Sequence, residues 1–80
     1  MPKDNNMNEH ELVVLTRAIP EHRLEAGDVG AIVHVYGGGI GFEVEFVAGG
    51  GETVAVLTLD AKDVRPFNNV EILHVRPVAA

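Results

Sequence analysis

Apolar residues in this chain gather into six short runs, divided by glycine, proline and asparagine, and their spacing is that of strands. Leu12-Val13-Val14-Leu15-Thr16 is a compact apolar run, too short for a helix and followed by Pro20, so it reads as a buried strand. Val29 to Tyr36 is a longer run of the same kind. Ile40 to Val47 alternates strictly, with Phe42, Val44 and Phe46 on one face and Glu43 and Glu45 on the other. In Thr53 to Leu59 the core face is Ala55, Leu57 and Leu59, which leaves Val54 and Val56 on a face that needs a cover. Val64 to Phe67 is a short strand broken by Pro66, and Val70 to Val75 reads as a last strand.

The connections carry matching signals. Gly27-Asp28 is a turn, in which glycine supplies a positive φ and aspartate bonds nearby backbone. Gly37-Gly38-Gly39 and Gly49-Gly50-Gly51 are hairpin loops. Arg17 to Ala26 is a polar loop anchored by Ile19 and Leu24, and Asp60 to Asp63 is one helical turn capped by Asp60. Gly30 inside its strand predicts a bulge or a close approach, and a bulge there turns both Val29 and Ile32 inward. The expected core is therefore Val29, Ile32, Val33, Phe42, Val44, Phe46, Leu57, Leu59 and Val64. These elements predict an all-β fold, a small barrel of five strands with one short helical turn and an extra C-terminal strand. The expected divisions are a disordered leader over 1–10, the barrel over 11–67, and a C-terminal strand and tail over 68–80.

Composition narrows the chemistry. Eighty residues make one small domain. The chain has no cysteine and no long apolar run, and its N-terminus is polar, which predicts a cytoplasmic protein without a membrane span. A net charge of −6, with Lys3, Arg17, Arg23, Lys62, Arg65 and Arg76 scattered, argues against a nucleic-acid partner and for a basic protein partner or none. Few aromatics are present for base stacking: Tyr36, Phe42, Phe46 and Phe67. Neither serine nor cysteine occurs, so Ser-His-Asp and Cys-His catalysis are excluded.

Four stretches bear a family resemblance: Gly27-Asp28-Val29-Gly30-x-Ile32, Phe42-Glu43-Val44-Glu45-Phe46, Leu57-x-Leu59, and Asp63-Val64-Arg65-Pro66. Over about residues 11–67 they look like an SH3-like barrel, similar to the barrel of the nitrile hydratase beta subunit. They resemble more closely a family of short stand-alone bacterial proteins catalogued as a domain of unknown function. That resemblance implies no activity and no metal. It implies a binding or regulatory accessory, an antitoxin-like small partner of a neighbouring protein.

The remaining candidate chemistry is sparse. His10, His22, His34 and His74 show no zinc-type spacing, although His34 and His74 could meet in the fold as a pH-sensitive pair. Glu43 and Glu45 stand roughly 6.5–7 Å apart along one strand face, a spacing that sugar hydrolysis tolerates and that any solvated strand face also produces. The glycine loops lack the Lys-Ser/Thr of a phosphate loop and join strand to strand. No catalytic, metal or cofactor residue is therefore expected. The expected function is a non-catalytic interaction module, with Tyr36, Glu43, Glu45, Val54, Val56 and Arg65 as its contact surface. Its partner is another protein, or a second copy joined through the strand Val70 to Val75. The alternative is a ligand-binding or enzymatic barrel with a site between the 17–26 loop and the glycine loops.

Overall fold

The computed structural model describes residues 7–78. Five strands form one antiparallel sheet that curls around a single core: β1 (Leu12–Leu15), β2 (Val29–Tyr36), β3 (Gly41–Val47), β4 (Thr53–Asp60) and β5 (Val64–Pro66). Their spatial order is β4-β3-β2-β1-β5. Two 3-10 turns, Pro20–His22 and Ala61–Asp63, complete the elements. This is the all-β small barrel that the strand pattern predicts.

The core is aliphatic, with two phenyl rings: Val13, Leu15, Ile19, Leu24, Ile32, Phe42, Val44, Phe46, Ala55, Leu59 and Val64. Register explains the choice. Phe42 pairs with Leu59, Val44 with Leu57 and Phe46 with Ala55, so the alternating residues of β3 and β4 share one inward face. Ile19 and Leu24 anchor the 17–26 loop, bridging each other and turning their side chains into the core. Gly27 takes φ +95° and donates its N–H to the Leu15 carbonyl, while the Asp28 carboxylate accepts from the Glu25 N–H at 2.8 Å.

The facing of β2 departs from expectation. No bulge occurs at Gly30, which points straight into the core between Val44 and Phe46. The shift lies three residues later: Ile32 pairs with Val44 and His34 with Glu43, so Val33 is the extra residue. Val33 is consequently 40% exposed, and Val29, one residue before Gly30, is only half-buried. Both leave the expected core. Leu57 shares the inward face yet is also half-buried, because β4 is an edge strand with no further strand beside it among the described residues.

The two ends of the chain also differ from expectation. Residues 1–6 of the expected leader lie outside the described residues. Residues 7–10 are folded against the barrel, where Met7 packs on the core and the His10 N–H donates to the Ile32 carbonyl at 2.6 Å. The expected last strand, Val70 to Val75, is not a strand. Its composition suits a ladder, but no strand lies beside it, and propensity without a pairing partner does not make a sheet.

The turn before β5 is stitched to the end of β1. Arg17 Nε donates to Asp63 Oδ1 at 3.0 Å, the Asp60 N–H donates to Asp63 Oδ2 at 3.2 Å, and the Thr16 hydroxyl donates to the Lys62 carbonyl at 2.9 Å. Asp63 is the buried charged residue here, at 6% exposed. The Arg17 guanidinium, helped by the Asp60 N–H, holds its carboxyl below the usual range despite the opposing effect of burial. Its folded-state pKa is depressed, so the stabilisation is present above the unfolded carboxylate range and is lost as pH falls through the folded value. Asp63→Ala is expected to lose about 2 kcal/mol at neutral pH, mostly the hydrogen bonds of the turn. Chemical denaturation across pH checks this: the deficit of the variant should shrink as the wild type is acidified below about pH 4.

Candidate functional site

Tyr36, Glu43, Glu45 and Val56 come together on the outer face of β2, β3 and β4. The alternation of β3 turns Glu43 and Glu45 away from the core, and their partners across the sheet are His34 and Thr58, and Ala31 and Val56, respectively. Both carboxylates are held by hydroxyls. Glu43 Oε1 accepts from Thr58 Oγ1 at 2.6 Å and from the Tyr36 hydroxyl at 3.2 Å, and Glu45 Oε2 accepts from Thr53 Oγ1 at 2.7 Å. The hydrogen bond to Glu43 favours the neutral phenol and pushes the Tyr36 pKa up. The His34 ring meets Tyr36 edge to face at 4.5 Å between centroids, and its Nδ1 stands 3.6 Å from Glu9 Oε2. Val56, 47% exposed, pairs with Glu45 on this face, and Val33, 40% exposed, immediately precedes His34.

Val54 and Arg65 do not belong to this face. A second irregularity separates Phe46 and Val47 in the β3–β4 register: Phe46 pairs with Ala55 but Val47 with Thr53, so Val54 is the extra residue. It is half-buried and packs on the core. Arg65 is spent on the C-terminal tail. Its guanidinium grips Glu71 with two bonds, at 2.9 and 2.6 Å, and donates to the Pro66 carbonyl. That grip and the Asn68 N–H bring the Glu71 pKa down to about 2.

A second clamp holds the tail further on. Arg76 binds both oxygens of Asp28 and donates to the Arg23 carbonyl at 3.0 Å. Partial burial works to raise the Asp28 pKa, but Arg76 and the Glu25 N–H outweigh it and keep the carboxyl below its usual range. Neither clamp is legible in the sequence. Asp28 and Arg76 are far apart in the chain, and only the path of the tail brings them together.

Two clefts stand out among the described residues. One, of about 510 Å³, lies between Met7, Asn8 and Glu9 and the first glycine loop, over Val35, Phe42 and Ala61. The other, of about 560 Å³, lies under the tail, with Leu24, Val29, Phe46, Val47 and Val54 on the barrel side and Leu73, Val75 and Val78 on the tail side. The second joins the 17–26 loop to the second glycine loop, as the alternative reading expects. Its charged groups, Asp28 and Arg76, are bonded to each other rather than aimed at a ligand. Neither cleft is lined by Glu43 or Glu45. The two histidines that could have met do not: His34 is on the outer face beside Tyr36, and His74 lines the tail cleft. Among the described residues no group of three or more His, Asp or Glu side chains could hold a metal ion, and no helix is long and apolar enough to cross a membrane.

A family model described as Domain of unknown function (DUF4926) matches residues 9–66. The chain belongs to this family. No curated protein and no solved structure matches it. The DUF4926 region runs from Glu9, the partner of His34, to Pro66 at the end of β5, so it contains the whole barrel and the outer face. It stops before the tail, and both tail clamps therefore join a residue inside the DUF4926 region to one outside it.

Proposed function

We propose that this DUF4926 protein is a non-catalytic interaction module that takes a basic partner protein on the outer face of β2, β3 and β4. The observation that carries the reading is the grouping of Glu43 and Glu45, both fixed by hydroxyl donors, with exposed Tyr36, Val33 and Val56 on one open face. Fixed carboxylates among small apolar patches suit lysine and arginine side chains, whose charged heads need partners and whose stems cover valine. The net charge of −6 favours the encounter over a longer range. The partner we favour is a neighbouring protein regulated by this one, in the antitoxin-like manner that the sequence resemblance implies. In the cleft where the alternative places its site, the charged groups Asp28 and Arg76 are bonded to each other, which favours the interaction reading.

The test is capture from host lysate by the wild type and by the double variant Glu43→Lys/Glu45→Lys, followed by titration of the purified partner. The wild type is expected to retain one basic protein in stoichiometric amount. Charge reversal on both positions should weaken the titrated affinity by about ten-fold or more, with steep salt dependence in the wild type. Equal retention by the two proteins would remove the outer face from the reading.

A further inference from the structure

The sheet has two edges of very different character. β5 is three residues long and ends in Pro66, which cannot donate to a ladder. β4 is eight residues long, Thr-Val-Ala-Val-Leu-Thr-Leu-Asp, and none of the usual edge protections interrupts it before Asp60: no proline, no lysine, no inward charge. Its bulge at Val54 lies near one end and leaves Ala55 to Asp60 regular. Leu57 on its inner face is half-buried and Val56 on its outer face is exposed, so both sides of the edge present apolar surface.

The same chain carries a segment of strand composition without a ladder. Val70 and Ile72 are each 91% exposed and Val75 is 89% exposed. Among the described residues, the only main-chain bond within 70–78 runs from the Glu71 N–H back to the Asn68 carbonyl. The tail is therefore fastened to its own barrel by side chains, chiefly the Arg65–Glu71 and Arg76–Asp28 clamps. Both clamps are bidentate, and no main-chain ladder to the barrel adds to them among the described residues.

We infer that a second copy of this chain supplies the missing ladder: Val70–Val75 of one copy adds as a sixth strand to the β4 edge of the other. The addition is reciprocal, because each chain holds one donor and one acceptor, and it closes as a two-fold pair. It covers Leu57 and Val56 with the apolar residues on the two faces of the donor. Charge agrees with it in either strand direction, since Glu52 and Asp60 bound β4 and the residue following the donor is Arg76. The Arg65–Glu71 clamp lies at the base of the donor and stays within one chain. The pairing uses the sheet edge and meets the proposed partner site only at Val56, leaving Tyr36, Glu43 and Glu45 to that site.

The experiment is light scattering of the full chain over a concentration series, with hydrogen exchange of the β4 amides on the same samples. The wild type should pass from the mass of one copy to that of two, and the Thr53–Asp60 amides should slow in step. Ile72→Pro removes a ladder donor and Ile72→Asp removes apolar cover. Ile72 is almost fully exposed in the single chain, so both variants should keep the mass of one copy throughout and should match the wild-type melting temperature at concentrations where the wild type is also a single copy. A synthetic peptide of residues 68–80 added to Ile72→Pro should restore slow exchange in β4. The inference is overturned if the wild type keeps the mass of one copy at every concentration, if either variant retains the mass of two, or if the slowed amides lie outside β4.

Discussion

Phe46→Asp is expected to unfold the protein. Phe46 is 3% exposed in the core, with Val44 on the same inward face of β3 and Ala55 across from it on β4. Removing the ring alone costs about 3–5 kcal/mol through lost transfer energy and the cavity left behind. The carboxylate then has no partner: the guanidinium groups of Arg17, Arg65 and Arg76 are committed to Asp63, Glu71 and Asp28. An unpaired buried charge adds several kcal/mol more. A domain of this size has a total stability of only about 4–12 kcal/mol. Circular dichroism should therefore show the variant without a cooperative melt, while Phe46→Leu, which keeps most of the volume, should melt cooperatively at a lower temperature. A cooperative melt of Phe46→Asp near the wild-type temperature would mean that β3 does not face a core.

Much of this fold is written in local pattern. The period-two alternation of β3 places Phe42, Val44 and Phe46 together without knowledge of any neighbour. It puts Glu43 and Glu45 on the opposite face by the same arithmetic. Glycine triplets end strands for a steric reason that acts within the loop itself. Ile19 and Leu24 are identifiable as anchors because they are the apolar residues of a polar loop with room to reach inward. The outer face was legible in the same way for Tyr36, Glu43, Glu45 and Val56.

What was not legible depends on residues distant in sequence. Val33 and Val54 are each the extra residue of a register shift, and a shift is a relation between two strands. A single strand read alone assigns them to the wrong face. Arg65 reads as an exposed contact residue because nothing local predicts the turn that returns Glu71 to it. Val70 to Val75 has the composition of a strand, but a strand exists only where another offers a ladder. In the single chain none does, so the segment lies along the surface with Val70, Ile72 and Val75 almost fully exposed. The same composition supports its assignment as a donor to β4 of a second copy, where the missing partner is supplied from outside the chain.

Gly30→Val is expected to destabilise the barrel by about 3 kcal/mol or more, at the upper end for overpacked cores. A Cβ at this position would stand 2.7 Å from Val44 Cγ1 and 2.8 Å from Phe46 Cε2, closer than carbon atoms approach without movement. Both neighbours are buried, at 0% and 3% exposed, so neither has solvent to move into. The backbone at Gly30 is not in the left-handed region, so the demand for glycine there is one of space alone. Gly30→Ala should show the same effect in smaller measure, because restricting the unfolded chain returns about 0.4–1 kcal/mol. The cause can be isolated by a double-mutant cycle. In a Phe46→Leu background the ring edge is gone, and the Gly30→Ala penalty should shrink by about 0.5 kcal/mol or more, a coupling expected of residues in contact. Strict additivity in urea denaturation would take the cost of Gly30→Ala away from Phe46 and leave it to Val44 Cγ1, the nearer of the two neighbours.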